Sequence, residues 1–142
     1  MTAVEGTATT TVASRRSPAR VALWVLQVLL GVFMAVASGL PKLFGEATAV
    51  AMFDQIGAGD WLRYLVGVLE VAGGIGLLVP GLAGLAAAGL FLLMIGATVT
   101  TFATLDTTYW YTPVIIGLIA LGIAVVRRDE VRSLGGLLGR SH

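Results

Sequence analysis

The sequence predicts an all-α protein, a bundle of four transmembrane helices with both termini in the cytoplasm. Three observations carry that prediction. Charged residues make up 12% of the 142-residue chain and hydrophobic residues 57%, whereas soluble domains carry roughly 25% charge. Only seven charged residues occur between Val21 and Val126, and five of them (Lys42, Glu46, Asp54, Asp60 and Arg63) fall in or beside one stretch. The remaining two are Glu70 and Asp106. Finally, four apolar windows approach the ~20 residues that a helix needs to cross a hydrocarbon core of ~30 Å.

The windows cover residues 22–40, 61–79, 82–102 and 110–126. Gln27 is the strongly polar residue of the first. Arg63, near the start, and Glu70, at the centre, interrupt the second. Pro80-Gly81 makes a tight turn between the second and third, which predicts an antiparallel hairpin. Asp106 and Thr107 stand in the short connection to the fourth window, itself slightly short. The loop from Gly45 to Asp60 is the long one. Within it Val50, Phe53 and Ile56 recur at near-helical spacing, with Glu46, Asp54 and Gln55 off that stripe. A short interfacial helix between spans one and two is predicted there.

Residues 1–20, rich in Thr, Ala and Ser, read as a disordered cytoplasmic tail. Residues 21–127 are the transmembrane domain and 128–142 a short cytoplasmic tail. Ser14-Arg15-Arg16 followed by Ala35-Val36-Ala37 has some likeness to an export signal with its cleavage site. The apolar stretch runs on to Leu40, longer than a usual signal core, so a retained first span is predicted.

Positive charge sets the orientation. Arg15, Arg16 and Arg20 precede the first span, and Arg127, Arg128, Arg132 and Arg140 follow the last. That is seven cationic residues at one side against two, Lys42 and Arg63, at the other. Trp61, Tyr64, Tyr109, Trp110 and Tyr111 gather at the opposite, outer interface, where amphipathic rings prefer to sit. Trp24 marks the cytoplasmic end of span one.

The same composition excludes several chemistries. A net charge of +1 provides no field for nucleic acid. No cysteine is present, so disulfides, thiolate metal sites and CxxC redox chemistry are absent. The single histidine is His142, the last residue, so no span offers a haem ligand or a metal cluster. No Ser-His-Asp set is visible. Gly73-Gly74-Ile75-Gly76 lies inside an apolar helix, where no phosphate would be cradled.

Glu70 is the informative residue. At nine residues from either end of its span it lies ~13 Å from each boundary. An ionised, unpaired carboxylate is costly at that depth. It therefore faces the bundle and finds a donor, or stays protonated. Such carboxylates mark ion paths or ligand sites, and the alternative is a helix-packing hydrogen bond. Gly67, Gly73 and Gly74 share its face and admit a close neighbour, either a helix or a ligand. Arg63, two turns away on that face, and Lys42, after Pro41 at the end of span one, are the candidate partners. The alternative for Lys42 is snorkelling to the headgroups. Gln27 is a candidate for a hydrogen bond across helices. Thr98, Thr100, Thr101 and Thr104 are expected to bond back to their own helix, and Met34 and Met94 to pack.

Several runs together carry a resemblance. Gly39-Leu40-Pro41-Lys42-Leu43, then Phe53 with Gly57, then Gly67-Val68-Leu69-Glu70-Val71-Ala72-Gly73-Gly74, then Met94-Ile95-Gly96-Ala97 are similar to the DoxX and DoxX-like family over about residues 22–126. The resemblance implies a small four-helix protein of a bacterial or archaeal cell membrane, with the family's Lys and Glu positions falling on Lys42 and Glu70. Some members are named as the quinone-linked subunit of thiosulfate oxidation. Others are described as membrane anchors in oxidant-defence assemblies with superoxide dismutase and a sulfurtransferase. Three functions follow as expectations. The first is an accessory or anchoring subunit with redox partners, or a homo-oligomer, and with no cofactor of its own. The second is an oxidoreductase subunit with a quinone at the polar pocket, and the third a small proton-coupled transporter in which Glu70 titrates.

Overall fold

The computed structural model describes residues 17–104 and 109–139. Ser14, Arg15, Arg16, Asp106, Thr107, Arg140 and His142 lie outside them. Helices account for nearly all the described residues, and no strand occurs among them. Six can be named: α1 Pro18–Phe44, α2 Ala47–Ile56, α3 Asp60–Leu78, α4 Ala83–Thr104, α5 Tyr111–Val126 and α6 Arg128–Leu138. Three of them, α1, α3 and α4, are long and apolar enough to cross a membrane, with mean hydropathies of 2.3, 1.4 and 2.0. The lowest value belongs to α3 because it carries Arg63 and Glu70. At 16 residues, the apolar α5 spans ~24 Å, and Tyr109, Trp110 and Tyr111 cluster edge to face at its start. Together these helices form the predicted four-helix membrane bundle.

Helix α1 starts where its residues dictate. Ser17 caps it by accepting from the Arg20 N–H (3.3 Å), and Pro18 occupies the first turn, where its missing N–H is harmless. Helical structure thus begins within the segment read as a tail. Farther along, Pro41 can accept no regular helical geometry, because its ring meets the carbonyl four residues back and its nitrogen donates nothing. The backbone widens to accommodate it. Phe33–Gly39 is π-helical, and the Leu40 N–H donates to the Ala35 carbonyl, five residues back. Gly45, at φ +72°, ends the helix.

The short helix predicted between spans one and two is α2. Phe53 is buried, Val50 and Ile56 are half-buried, and Glu46, Asp54 and Gln55 are exposed, as the stripe requires. Glu46 caps it, accepting from the Ala49 N–H at 3.1 Å. The Thr48 and Ala49 N–H groups hold its carboxyl below the usual 4.5. A lowered folded value means that the cap stabilises α2 above the ordinary carboxyl range and that this support is lost as pH falls through the folded value. Amide protection factors in α2 are therefore expected to drop between about pH 6 and about pH 3.5, and to stay flat in Glu46→Gln. An unchanged wild-type profile would remove the cap from the account of α2.

The hairpin between α3 and α4 is also as predicted. Leu82 N–H donates to the Val79 carbonyl at 3.2 Å, and Gly81 takes the φ of +85° that the third position of a type II turn demands after Pro80. The core consists of Leu30, Met34, Leu77, Ala87, Leu90, Met94, Ala120 and Ile123. All four long or apolar helices contribute to it. Outside this seam, large apolar side chains such as Leu29, Leu92, Val99 and Leu118 point outward, as lipid-facing residues do. Beyond α5 the chain forms α6, for which the sequence reading made no allowance. It lies against the start of α4. A Cβ on Gly84 would come within 2.6 Å of the Arg127 carbonyl oxygen and 3.2 Å of Val131 Cγ2.

Candidate functional site

Three polar side chains are buried among the described residues: Gln27, Arg63 and Glu70, at 3%, 4% and 3% exposure. They do not form one site. Glu70, eleventh in the 19-residue α3, faces the π-helical part of α1. There Lys42 Nζ donates to Glu70 Oε2 at 2.7 Å. The same ammonium donates to the Ser38 Oγ at 3.1 Å and to the Ser38 carbonyl at 3.0 Å. An ammonium has three N–H donors, and all three are held within the chain.

This geometry depends on the local backbone. Ser38 lies one turn before Lys42 and inside the π segment that Pro41 imposes. Small residues bring the two helices together around the pair. A Cβ on Gly39 would sit 2.7 Å from Val71 Cγ2 and 3.0 Å from the Gly67 carbonyl oxygen. On Gly67 it would meet Leu43 Cδ2 at 3.0 Å and Lys42 Cβ at 3.1 Å. One turn beyond Glu70, Gly74 backs onto Gly31 and Ala35. Gly73 points elsewhere, toward Leu90 of α4. Two of the three glycines predicted to flank Glu70 thus serve its contact with α1, and the third serves the neighbouring contact.

Arg63 does not reach Glu70. Its Nη1 donates to the Lys42 carbonyl and its Nη2 lies 3.4 Å from Asp60 Oδ1. The guanidinium carbon sits 4.4 Å from the centroid of the Tyr64 ring. The carbonyls at the end of α1 attract the guanidinium more readily than a carboxylate two turns away, because the end of a helix leaves carbonyls without intrahelical partners. Arg63 therefore anchors the residue that pairs with Glu70, and acts on the pair through backbone.

Gln27 is far from this cluster, at the end of the bundle where α1 begins and α5 ends. It donates to the Leu77 carbonyl and accepts from Arg127 Nε at 2.7 Å. The predicted cross-helix bond exists, but it ties α1 to α3 and to the end of α5. The threonines behave as expected: Thr98, Thr100, Thr101 and Thr104 each donate to the carbonyl four residues back, at 2.8–2.9 Å.

Sequence reasoning missed Ser38 and Arg127. Ser38 was signalled by its place one turn before Lys42. Arg127 gave no signal beyond being the first charge after an apolar helix. Chemically, the Lys42–Glu70–Ser38 cluster is a neutralised ion pair inside an apolar seam. A quinone carbonyl seeking a donor here has to displace a bond already made. Among the described residues no group of His, Cys, Asp or Glu is arranged to hold a metal ion.

Comparison with known proteins bears on this architecture. The sequence model of the DoxX-like family matches residues 25–123, which takes in all four apolar helices and both members of the ion pair. No curated protein and no solved structure gives a significant match to the chain. The family match covers well over half of the sequence, and the chain belongs to the DoxX-like family.

Proposed function

We propose that this multi-pass membrane protein is an accessory or anchoring subunit that works with redox or oxidant-defence partner proteins in a bacterial or archaeal cell membrane, its termini in the cytoplasm. The observation that supports this reading is the closed Lys42–Glu70 pair. Its side chains are 12% and 5% exposed, and both charges find their partners within the chain. A carboxylate that carries protons or a ligand has to exchange its partner during the cycle. One held by an ammonium whose three donors are all engaged is suited to fixing two helices in lipid, which is what a rigid anchor needs.

The test is purification of the tagged full chain in mild detergent, with quantitative mass spectrometry of what accompanies it. A redox protein in near-stoichiometric amount is the expected result. A chain that purifies alone and reduces quinone would overturn the proposal. So would pH-dependent uptake into liposomes that Glu70→Gln abolishes.

Orientation is tested separately. Reporter fusions at residue 142 are expected to report a cytoplasmic C terminus, and a cysteine at Gln55 to react with an impermeant reagent in intact cells. Reaction at position 81 in place of position 55 would reverse the orientation.

A further inference from the structure

The end of the bundle where α1 begins and α5 ends carries a feature unrelated to the ion pair. A groove of about 410 Å³ opens between the start of α1 and the end of α5, lined by Arg20, Val21, Trp24, Val25 and Arg127. Its volume is within the about 300–1,000 Å³ typical of small-ligand sites. Two guanidiniums stand at its wall, contributed from opposite ends of the sequence. Its remaining lining is apolar or aromatic.

The wall is built from the interior. At 100° per residue, Arg20, Trp24 and Gln27 fall within about 60° of one another on α1. Gln27 is buried, and it clamps Arg127 Nε at 2.7 Å while donating to the Leu77 carbonyl. Arg127 is therefore held at the groove by a buried hydrogen-bond chain reaching α3. A guanidinium has five N–H donors in a rigid fork, enough for an anchor within the protein together with an anion outside it. Trp24, 48% exposed, lines the same groove as the two arginines.

We propose that this groove binds an anionic phospholipid of the membrane. Arg20 and Arg127 take the headgroup phosphate, and Val21, Val25 and the Trp24 ring support the glycerol and the first acyl carbons. Charge complementarity selects the anion. The apolar lining, continuous with the lipid-facing surface of α1 at Leu29 and Val32, selects a lipid over a free phosphate. Lipid would then bridge the first and last spans where α1 and α5 have few direct contacts, and so close the bundle.

The experiment measures thermal stability of the purified full chain in detergent, with phosphatidylglycerol, phosphatidylcholine or soluble glycerol phosphate added. Phosphatidylglycerol is expected to raise Tm by several degrees, and the other two to leave it within a degree. Arg20→Gln, at an exposed position, is expected to abolish the selective rise without lowering the lipid-free Tm. Arg132→Gln should keep it, because Arg132 is a surface arginine of the same end, 3.9 Å from Asp129, and does not line the groove. Equal responses to the two lipids would overturn the proposal, as would a rise reproduced by glycerol phosphate. Loss of the response in Arg132→Gln as strongly as in Arg20→Gln would also overturn it, by showing diffuse attraction in place of a site.

Discussion

Lys42→Met is expected to destabilise the bundle by about 3–5 kcal/mol, the range for removing one partner of a buried ion pair. The magnitude follows from what is left behind. Glu70 lies at the middle of α3, and nothing else within reach replaces the lost ammonium. Arg63 is the nearest cation on that face of α3, and its Nη1 is committed to the Lys42 carbonyl, a backbone group that survives the substitution. Ser38 loses the donor to its hydroxyl and its carbonyl at the same time.

The companion variants separate charge from shape. Glu70→Leu alone leaves the ammonium of Lys42 without its counter-charge, though Lys42 keeps both Ser38 contacts and its stem can lead the head toward the interface. Its cost should therefore be smaller than that of Lys42→Met. The double variant Lys42→Met/Glu70→Leu replaces the pair by apolar groups of similar size, and should recover most of the loss or exceed wild type. Glu70→Gln keeps shape and acceptor, and is expected to insert and fold. Denaturant unfolding of the four purified proteins in detergent, read as a double-mutant cycle, gives the coupling directly. A cycle that closes to zero would mean that the 2.7 Å contact contributes nothing. In complementation of a deletion strain, Glu70→Gln at normal abundance is expected to keep function, as a pair that fixes two helices allows. Loss of function at normal abundance would show that the carboxylate does more than hold α3 to α1.

The four apolar helices, the Pro80-Gly81 turn, the short helix between the first two spans and the Lys42–Glu70 pairing were all legible in the sequence. Each rests on a strong one-dimensional signal: runs of apolar residues, a turn dipeptide, a helical stripe, or a lone carboxylate in lipid. What the sequence concealed lies where the backbone leaves its ideal form. The π segment at Phe33–Gly39 follows from Pro41, yet a proline near the end of a span is as compatible with a simple stop as with a widened helix. Ser38 lies inside that segment, one turn before Lys42. Arg63 was misdirected because spacing along one helix places side chains on a face and says nothing of the carbonyls that a neighbouring helix end presents. The Gln27–Arg127 bond joins residues 100 apart, beyond the reach of any periodicity. Helix α6 is amphipathic, so its helical pattern stood in the sequence, whereas its packing on α4 at Gly84 did not.

Gly74→Val is the second large effect expected, and it tests whether the pair depends on helix approach. A Cβ at position 74 would lie 2.5 Å from the Gly31 carbonyl oxygen, 2.8 Å from the Ala35 nitrogen and 3.0 Å from Ala35 Cβ. Two of these neighbours are backbone, so no rotamer change relieves the overlap and α1 must move as a whole. Even Gly74→Ala should cost about 1–3 kcal/mol, the usual range for overpacking, and the valine more. Gly96→Ala is the control. Nothing lies within 4 Å of a Cβ there, so the substitution should be neutral or favourable by up to about 1 kcal/mol through helix propensity. Gly73→Ala should cost less than Gly74→Ala but more than the control, because its neighbours at 2.6 and 2.7 Å, Leu90 Cδ2 and Cγ, are side chain and not backbone, yet Leu90 is fully buried and has little room to yield. The decisive reading comes from combining sites. Gly74 is one turn from Glu70 on the face that meets α1, so pushing α1 away lengthens the Lys42–Glu70 contact. In the Gly74→Val background, Lys42→Met should then cost distinctly less than in wild type. If the two losses simply add, the ion pair forms independently of the glycine seam, and close approach of α1 to α3 is not what holds Lys42 against Glu70.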